Sequence, residues 1–250
     1  MYINGAWFTP KSNATFDVFN PANGEKIAEV ADGTEIDARL AIDAAGSTFP
    51  SWSKSTAYQR ATFLTNAHRI MLLRKDALAE IMTTEQGKPL KAARNEVQYA
   101  ADFLLWYAEE AKRINGEILP SARPDQRFMV LHQAVGVVAA VTPWNYPISM
   151  ITRKIAPALA AGCCIVLKPA EATPLCAIEM FKIFKEANIP NGVVNLVTAK
   201  DPKPIGEEFT TNPTVAKIMF TGSTAVGKML ACQAGAHMKR ISLELGGHAP

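Results

Sequence analysis

Residues 135–171 read VGVVAAVTPWNYPISMITRKIAPALAAGCCIVLKPAE, and this stretch decides the fold. Val135 to Val141 is an apolar, β-branched run of a length that suits one buried strand. Thr142-Pro143-Trp144-Asn145-Tyr146-Pro147 carries too much proline to continue it, and Pro147 suits the first turn of a helix. Ile148 to Ala161 then reads as helix, kinked at Pro157 and ended by Gly162. Cys163 to Leu167 is a second buried strand, stopped at Lys168-Pro169. Strand, helix and strand make a βαβ unit whose crossover is expected to be right-handed. Ligands of open parallel sheets bind at the carboxyl ends of the strands, so Trp144, Asn145, Lys168 and Glu171 are expected on one rim.

Working outward, the alternation continues. Thr173-Pro174 reads as an N-cap and first helical position, opening a helix to about Ala187. Strands are expected over Gly192–Val197, Val215–Phe220 and Lys239–Leu245, with a helix from Ser223 to about Ala234. These five strands predict an α/β fold with a doubly wound parallel sheet. Towards the amino terminus, residues 1–30 read as short paired strands in which Phe16 and Val18 alternate with polar neighbours. Thr34 and Asp37 open a helix to about Ser47. Further helices are expected over Thr56–Arg74, Asp76–Glu85 and Leu90–Ile114. The last carries Val97, Ala101, Leu104, Leu105 and Ala108 on one stripe. Its aromatics, Tyr99, Phe103, Trp106 and Tyr107, are expected to pack between helix and sheet. Glu117–Leu119 and Arg127–Gln133 flank a polar turn and read as a projecting hairpin, an edge that needs a partner and so a candidate assembly element.

Composition bounds the function. The 250 residues are 48% hydrophobic and 20% charged, enough for a sizeable core, and the net charge is +3. No basic run suggests nucleic acid, and no apolar run suggests a membrane span. The start lacks the pattern of a secretory signal, so a cytoplasmic location is expected. Cys163, Cys164, Cys176 and Cys232 have no metal-ligand spacing and read as free thiols of a reducing compartment. His68, His132, His237 and His248 read as structural or surface residues.

Several residues could carry chemistry, each with a plainer alternative. Thr221-Gly222-Ser223-Thr224-Ala225-Val226-Gly227 joins a strand to a helix, where free N–H groups favour a phosphate, or it is simply a tight turn with Ser223 as N-cap. Gly222 to Lys228 matches most of a nucleotide-binding P-loop, but Met229 stands where a hydroxyl should hold magnesium. The usual dinucleotide glycine fingerprint is absent. Lys168 and Glu171 could contact ribose hydroxyls, or be a solvated pair. Asn145 could donate to a developing oxyanion, or only form a turn. Glu244, followed by Leu245-Gly246-Gly247, could act as a base, or be one more loop acid.

Together, Thr142 to Pro147, Lys168 to Glu171, Phe220 to Gly227 and Glu244 to Gly247 resemble the aldehyde dehydrogenase superfamily, in the right order and along nearly the whole chain. The resemblance implies a Rossmann-like domain that binds NAD, with NADP as the alternative. Ser223 would bind the pyrophosphate, Trp144 and Gly222 line the cleft, and Lys168 and Glu171 hold the adenine ribose. Thr142, Pro143, Val226, Leu245 and Gly246 would complete the coenzyme contacts. Glu171 favours NAD, because a 2′-phosphate would meet its charge. Asn145 would belong to the oxyanion hole, and Glu244 would activate the water that hydrolyses a cysteine thioester.

The nucleophilic cysteine of that family lies beyond this motif, and none of the four cysteines here matches it. The resemblance therefore implies the cofactor half of an enzyme. Residues 1–115 and 134–247 would form the NAD(P)-binding domain, 116–133 the oligomerisation hairpin, and 248–250 the start of a catalytic domain. Met150-Ile151-Thr152-Arg153-Lys154 resembles subfamilies acting on succinate semialdehyde. Arg153 could pair there with a substrate carboxylate, although lactaldehyde-type relatives share Arg-Lys and a helix-surface arginine is the plain alternative. The expected partners are a small aldehyde and further copies of the chain. Should the physiological chain end at Pro250, a non-catalytic dinucleotide-binding or assembly fragment is the competing expectation.

Overall fold

The computed structural model describes residues 1–10 and 12–247; His248 and the expected domain start at 248–250 lie outside the described residues. The central strands are β7 (Val137–Val141), β8 (Cys164–Lys168), β9 (Val194–Leu196), β10 (Val215–Gly222) and β11 (Arg240–Leu245). All five run parallel in the order β11-β10-β7-β8-β9. The sheet is larger than expected. β1 (Tyr2–Ile3) and β2 (Ala6–Trp7) extend it to seven strands, because β1 pairs antiparallel with β9 through Tyr2 and Leu196.

The crossover helices are α5 (Ser149–Ala160), α6 (Pro174–Glu186), α7 (Lys203–Thr211) and α8 (Thr224–Ala236). α7 has no counterpart in the sequence expectations, but a parallel connection from β9 to β10 requires such a crossover. The chain moves from β7 to β8 and β9 on one side, then returns across β7 to β10 and β11 on the other. Right-handed crossovers in opposite directions put α5 and α8 on opposite faces, which makes the sheet doubly wound. The strand order reverses between β7 and β10, the topological switch point where ligands of such sheets bind.

The remaining helices are α1 (Glu35–Trp52), α2 (Ala57–Leu73), α3 (Lys75–Gln86) and α4 (Leu90–Glu110), with a 3-10 turn at Ala111–Arg113. Asp37 accepts the Thr34 backbone N–H at 2.8 Å and closes the expected capping box of α1. α1 packs on the sheet with α7, whereas α4 packs on α2, α3 and α5. This difference corrects the reading of α4. Its seam with other helices is narrow and filled by Ala93, Val97, Ala101, Leu104 and Ala108. Leu105 lies outside the seam, and Tyr99 and Trp106 are 49% and 63% exposed rather than packed between helix and sheet.

The hairpin β3 (Thr15–Phe19) and β4 (Lys26–Ala31) forms its own small sheet, with Phe16, Val18 and Val30 in a satellite core. A third sheet pairs β5 (Glu117–Pro120) with β6 (Arg127–Val130), and every residue of both strands is exposed. No described helix is long and apolar enough to cross a membrane.

Candidate functional site

The register of the parallel strands assembles the site. Val141 lies opposite Lys168 of β8 and Phe220 of β10, and Phe220 lies opposite Leu243 of β11. The chain leaves each strand near this row. Thr142 to Asn145, Lys168 to Glu171, Gly222 with Ser223, and Glu244 to Gly246 therefore converge on one carboxyl-end rim. Thr142 is tied to the neighbouring loop by its backbone N–H, which donates to the Lys168 carbonyl at 3.1 Å.

Ser223 is the N-cap of α8, with its hydroxyl oxygen accepting the Val226 N–H at 3.3 Å. That capping bond is the plainer alternative raised by the sequence. Ser223, Thr224, Ala225 and Val226 are nevertheless all exposed, and no acidic residue occupies the first turn of α8. The positive end of the helix dipole is open to an anion. Gly222 lies close to the Phe220 ring: a Cβ there would come within 2.5 Å of its tip. Thr224 donates its hydroxyl to the Gly246 carbonyl at 3.1 Å, linking this turn to the loop after β11. Leu245 packs where Gly227 has no side chain, since a Cβ on Gly227 would lie 2.4 Å from it.

Lys168 is 2% exposed, and its Nζ reaches outward to Glu171 Oε2 at 2.9 Å. Burial works against the Glu171 charge, but the hydrogen bond and charge of Lys168 outweigh it and hold that carboxyl below its ordinary pKa. The pair presents an ionised acceptor beside an ammonium, the chemistry that engages vicinal sugar hydroxyls. With the open helix N-terminus, these groups suit a phosphorylated, ribose-bearing ligand. Among the described residues, no group of three His, Cys, Asp or Glu is placed to hold a metal ion.

A second cluster lies across β10. Glu244 is held through both oxygens: Arg153 Nη1 is 2.9 Å from Oε1, and the Thr221 hydroxyl donates to Oε2 at 3.0 Å. Thr221 in turn accepts Lys154 Nζ at 2.5 Å. Burial, with Arg153 nearby, lowers the Lys154 ammonium from 10.5 to about 8 against the opposing pull of Glu244. Arg153, Lys154 and Glu244 line an open hollow of about 300 Å³ with Phe220 and Leu243. The sequence reading missed Lys154 and Thr221. The signal was available for Lys154, which falls three residues after Ile151 and four before Ala158 on the inward stripe of α5.

The turn after β7 depends on distant helices. Trp144, Asn145 and Tyr146 are exposed, whereas Pro147, Ile148 and Ser149 are buried. α5 starts at Ser149, two residues beyond the proline expected to open it, and has no side-chain cap of its own. Glu96 of α4 caps it instead: Oε1 accepts the N–H groups of Ile148 at 3.1 Å and Ser149 at 3.2 Å. Lys88 pairs with Glu96, donates to the Asn145 carbonyl at 2.8 Å, and lies 4.0 Å from the Tyr146 ring centroid.

α6 repeats the device. Thr173 stands at its N-cap but makes no capping bond, and its hydroxyl is buried without a partner. Glu85 of α3 accepts the Cys176 N–H at 3.1 Å in its place, and burial raises the Glu85 carboxyl from 4.5 to about 8. Burial likewise raises the thiols of Cys163 and Cys176, and brings that of Cys164 to about 12; Cys232 is exposed on α8. His132 and His237 are exposed and His68 half-buried, and none of the three enters the rim.

Comparison with known proteins agrees with this geometry. A model described as "Aldehyde dehydrogenase family" matches residues 7–250. The chain is 48% identical over 248 residues to succinate-semialdehyde dehydrogenase [NADP(+)] GabD of Escherichia coli (strain K12), covering 99% of this chain and 51% of that protein. It is 47% identical over 249 residues to glutarate-semialdehyde dehydrogenase of Pseudomonas aeruginosa, covering 100% of this chain and 51% of that one. Among solved structures, betaine aldehyde dehydrogenase of Staphylococcus aureus in complex with NAD+ superposes with a TM-score of 0.96 at 35% identity, covering 98% of this chain and 49% of that one. The chain thus spans about half the length of these relatives.

Proposed function

The chain belongs to the aldehyde dehydrogenase family, and on that premise we propose that it forms the coenzyme half of an NAD(P)-dependent dehydrogenase of a small carboxylated aldehyde, succinate semialdehyde or its near homologue. The observation that carries this reading is the shared hollow of Arg153 and Glu244. It places a guanidinium suited to a terminal carboxylate beside a carboxylate suited to activate water. The names of the relatives, which act on succinate and glutarate semialdehydes, support the same substrate class.

Ser223 and Val226 at the α8 N-terminus would hold the pyrophosphate, and Lys168 with Glu171 the adenine ribose. Thr142, Pro143, Trp144, Gly222, Leu245 and Gly246 would line the rest of the cleft. The coenzyme, when bound, supplies a hydride acceptor. Glu171 favours an unphosphorylated ribose, although one relative is named for NADP(+) and another is solved with NAD+.

The thiolate that attacks the aldehyde comes from outside these 250 residues, because the buried Cys163, Cys164 and Cys176 are held as thiols and Cys232 lies on α8. The carboxamide of Asn145, free of hydrogen bonds among the described residues, donates to the oxygen on which charge develops. Arg153 turns from Glu244 to the substrate carboxylate. Glu244, released from that ion pair but still held by Thr221, takes a proton from water as the thioester is hydrolysed. The exposed hairpin of β5 and β6 would seat against another copy of the chain.

Assay of the full gene product against a panel of aldehydes tests the reading. NAD(P)H formation is expected with succinate or glutarate semialdehyde, and no turnover with any member of the panel would refute it.

A further inference from the structure

Lys88 and Glu96 lie outside the rim, on the loop before α4 and on α4 itself, yet they hold the turn that carries Asn145. Glu96 is one of the few charged residues on the inward stripe of its helix, 3% exposed between Ala93 and Ala100. Its two oxygens divide their work. Oε1 accepts the N–H groups of Ile148 and Ser149, and Oε2 takes the Lys88 ammonium. Lys88 spends its remaining contacts on two consecutive residues: the Asn145 carbonyl at 2.8 Å and the face of the Tyr146 ring at 4.0 Å. The side chains of Lys88 and Glu96 are 13% and 1% exposed, so the ion pair that holds Lys88 is little weakened by solvent.

The consequence is mechanical. Asn145 is exposed in a turn between two prolines, and no other hydrogen bond of the described residues reaches its carbonyl. One end of the turn is fixed by β7, through Thr142 and Lys168. The other is fixed by Glu96 at the start of α5. Between these anchors, Lys88 alone grips the peptide unit that follows Asn145.

We propose that Lys88, held by Glu96, is the positioning residue that sets the Asn145 carboxamide for oxyanion stabilisation. This rests on the oxyanion role given to Asn145 above. Lys88 acts through the Asn145–Tyr146 peptide, whose carbonyl and ring it contacts. A displacement of about 1 Å at such a donor costs on the order of 100-fold in rate, so loss of the grip should slow the acylation half-reaction and leave coenzyme affinity intact.

The test is the pre-steady-state burst of NAD(P)H in the full gene product. Lys88→Met should slow the burst roughly 10- to 100-fold, with coenzyme affinity, read by titration of tryptophan fluorescence, unchanged. Lys88→Arg, which keeps a cationic donor, should restore part of the rate. In an Asn145→Ala background, Lys88→Met should add no further loss, because the group it positions is gone. Should Lys88→Met fail to fold, Lys88→Met/Glu96→Gln removes both buried charges together and keeps an acceptor for Ile148 and Ser149; it is expected to show the same loss. A wild-type burst rate in the folded variant, or losses that multiply with that of Asn145→Ala, would overturn the proposal. Absence of a burst in the wild-type protein would overturn the functional reading instead.

Discussion

The guanidinium of Arg153, on α5, stands 2.9 Å from the carboxylate of Glu244, at the end of β11. The two belong to elements on opposite sides of β10, and no contact in sequence foretells the pair. Both side chains are more than 40% exposed, so the bridge itself contributes little to stability. Its significance is that one group is free to leave the other.

Arg153→Leu should therefore separate substrates by charge. The KM for succinate semialdehyde is expected to rise about 10- to 100-fold, the worth of one charge-assisted bidentate contact. The KM for butyraldehyde, of the same chain length without the carboxylate, should change little. Steady-state kinetics on the two aldehydes decide it, and equal losses on both would remove Arg153 from substrate recognition.

Glu244→Gln should spare acylation and hydride transfer while slowing hydrolysis. A normal burst of NAD(P)H followed by turnover reduced roughly 100- to 10,000-fold is expected. Rapid-mixing absorbance reads both phases. Undiminished turnover would assign the base elsewhere.

Glu171→Gln removes the charge that Lys168 keeps ionised. NAD binding should weaken several-fold as an ionised acceptor becomes a neutral one, while NADP binding should improve relative to it. Fluorescence titration with both coenzymes gives the ratio, and an unchanged ratio would show that Glu171 does not face the 2′ position.

Glu85 ties stability to pH. Its pKa is raised from 4.5 to about 8 by burial, so the folded state binds the proton more tightly than the unfolded one. The associated stability is complete below about 4.5 and is lost as pH rises to about 8. Glu85→Gln keeps an acceptor for the Cys176 N–H without a titratable group. The variant should melt at the wild-type temperature near pH 4.5 and above it at pH 8 and beyond. Parallel melting curves across that range would contradict the buried-acid assignment.

Lys154 acts in the opposite sense at higher pH. Its folded pKa of about 8 lies below the ordinary 10.5, so the cost of burying its charge is present below about 8 and is relieved as pH rises towards 10.5. Lys154→Met should abolish this rise in melting temperature. Because the ammonium reaches Thr221 beside Glu244, it should also remove a step near pH 8 from the rate of thioester hydrolysis. Retention of both would dissociate Lys154 from Glu244.

The parts of the fold that read directly from sequence are those where local pattern and tertiary environment agree. Apolar runs flanked by turn residues located β7, β8 and β9, because a strand covered on both faces must be apolar throughout, and alternation with helices located the more exposed β10 and β11. The helices that follow them were placed for a related reason, apart from α7, whose nine residues are too few for a clear period. The expectations failed where the environment differed from the one assumed. The aromatics of α4 would pack beneath a helix lying on a sheet, but α4 lies on helices, so Tyr99 and Trp106 face outward. Thr173 has the chemistry of an N-cap, but Glu85 takes the bonds from across the fold.

The candidate site divides along the same line. Sequence alone determined which loops share the rim: four short motifs, each at the carboxyl end of a strand, meet wherever the strands are parallel and in register. Which of those residues touch was decided only by the tertiary structure. The strand order sets β10 between β7 and β11, and helix packing brings Lys88, Glu96, Arg153 and Lys154 to groups far away in the chain. A hydrogen bond or ion pair forms over about 3 Å, a distance that periodicity along one segment cannot specify and that only the packing of several segments can.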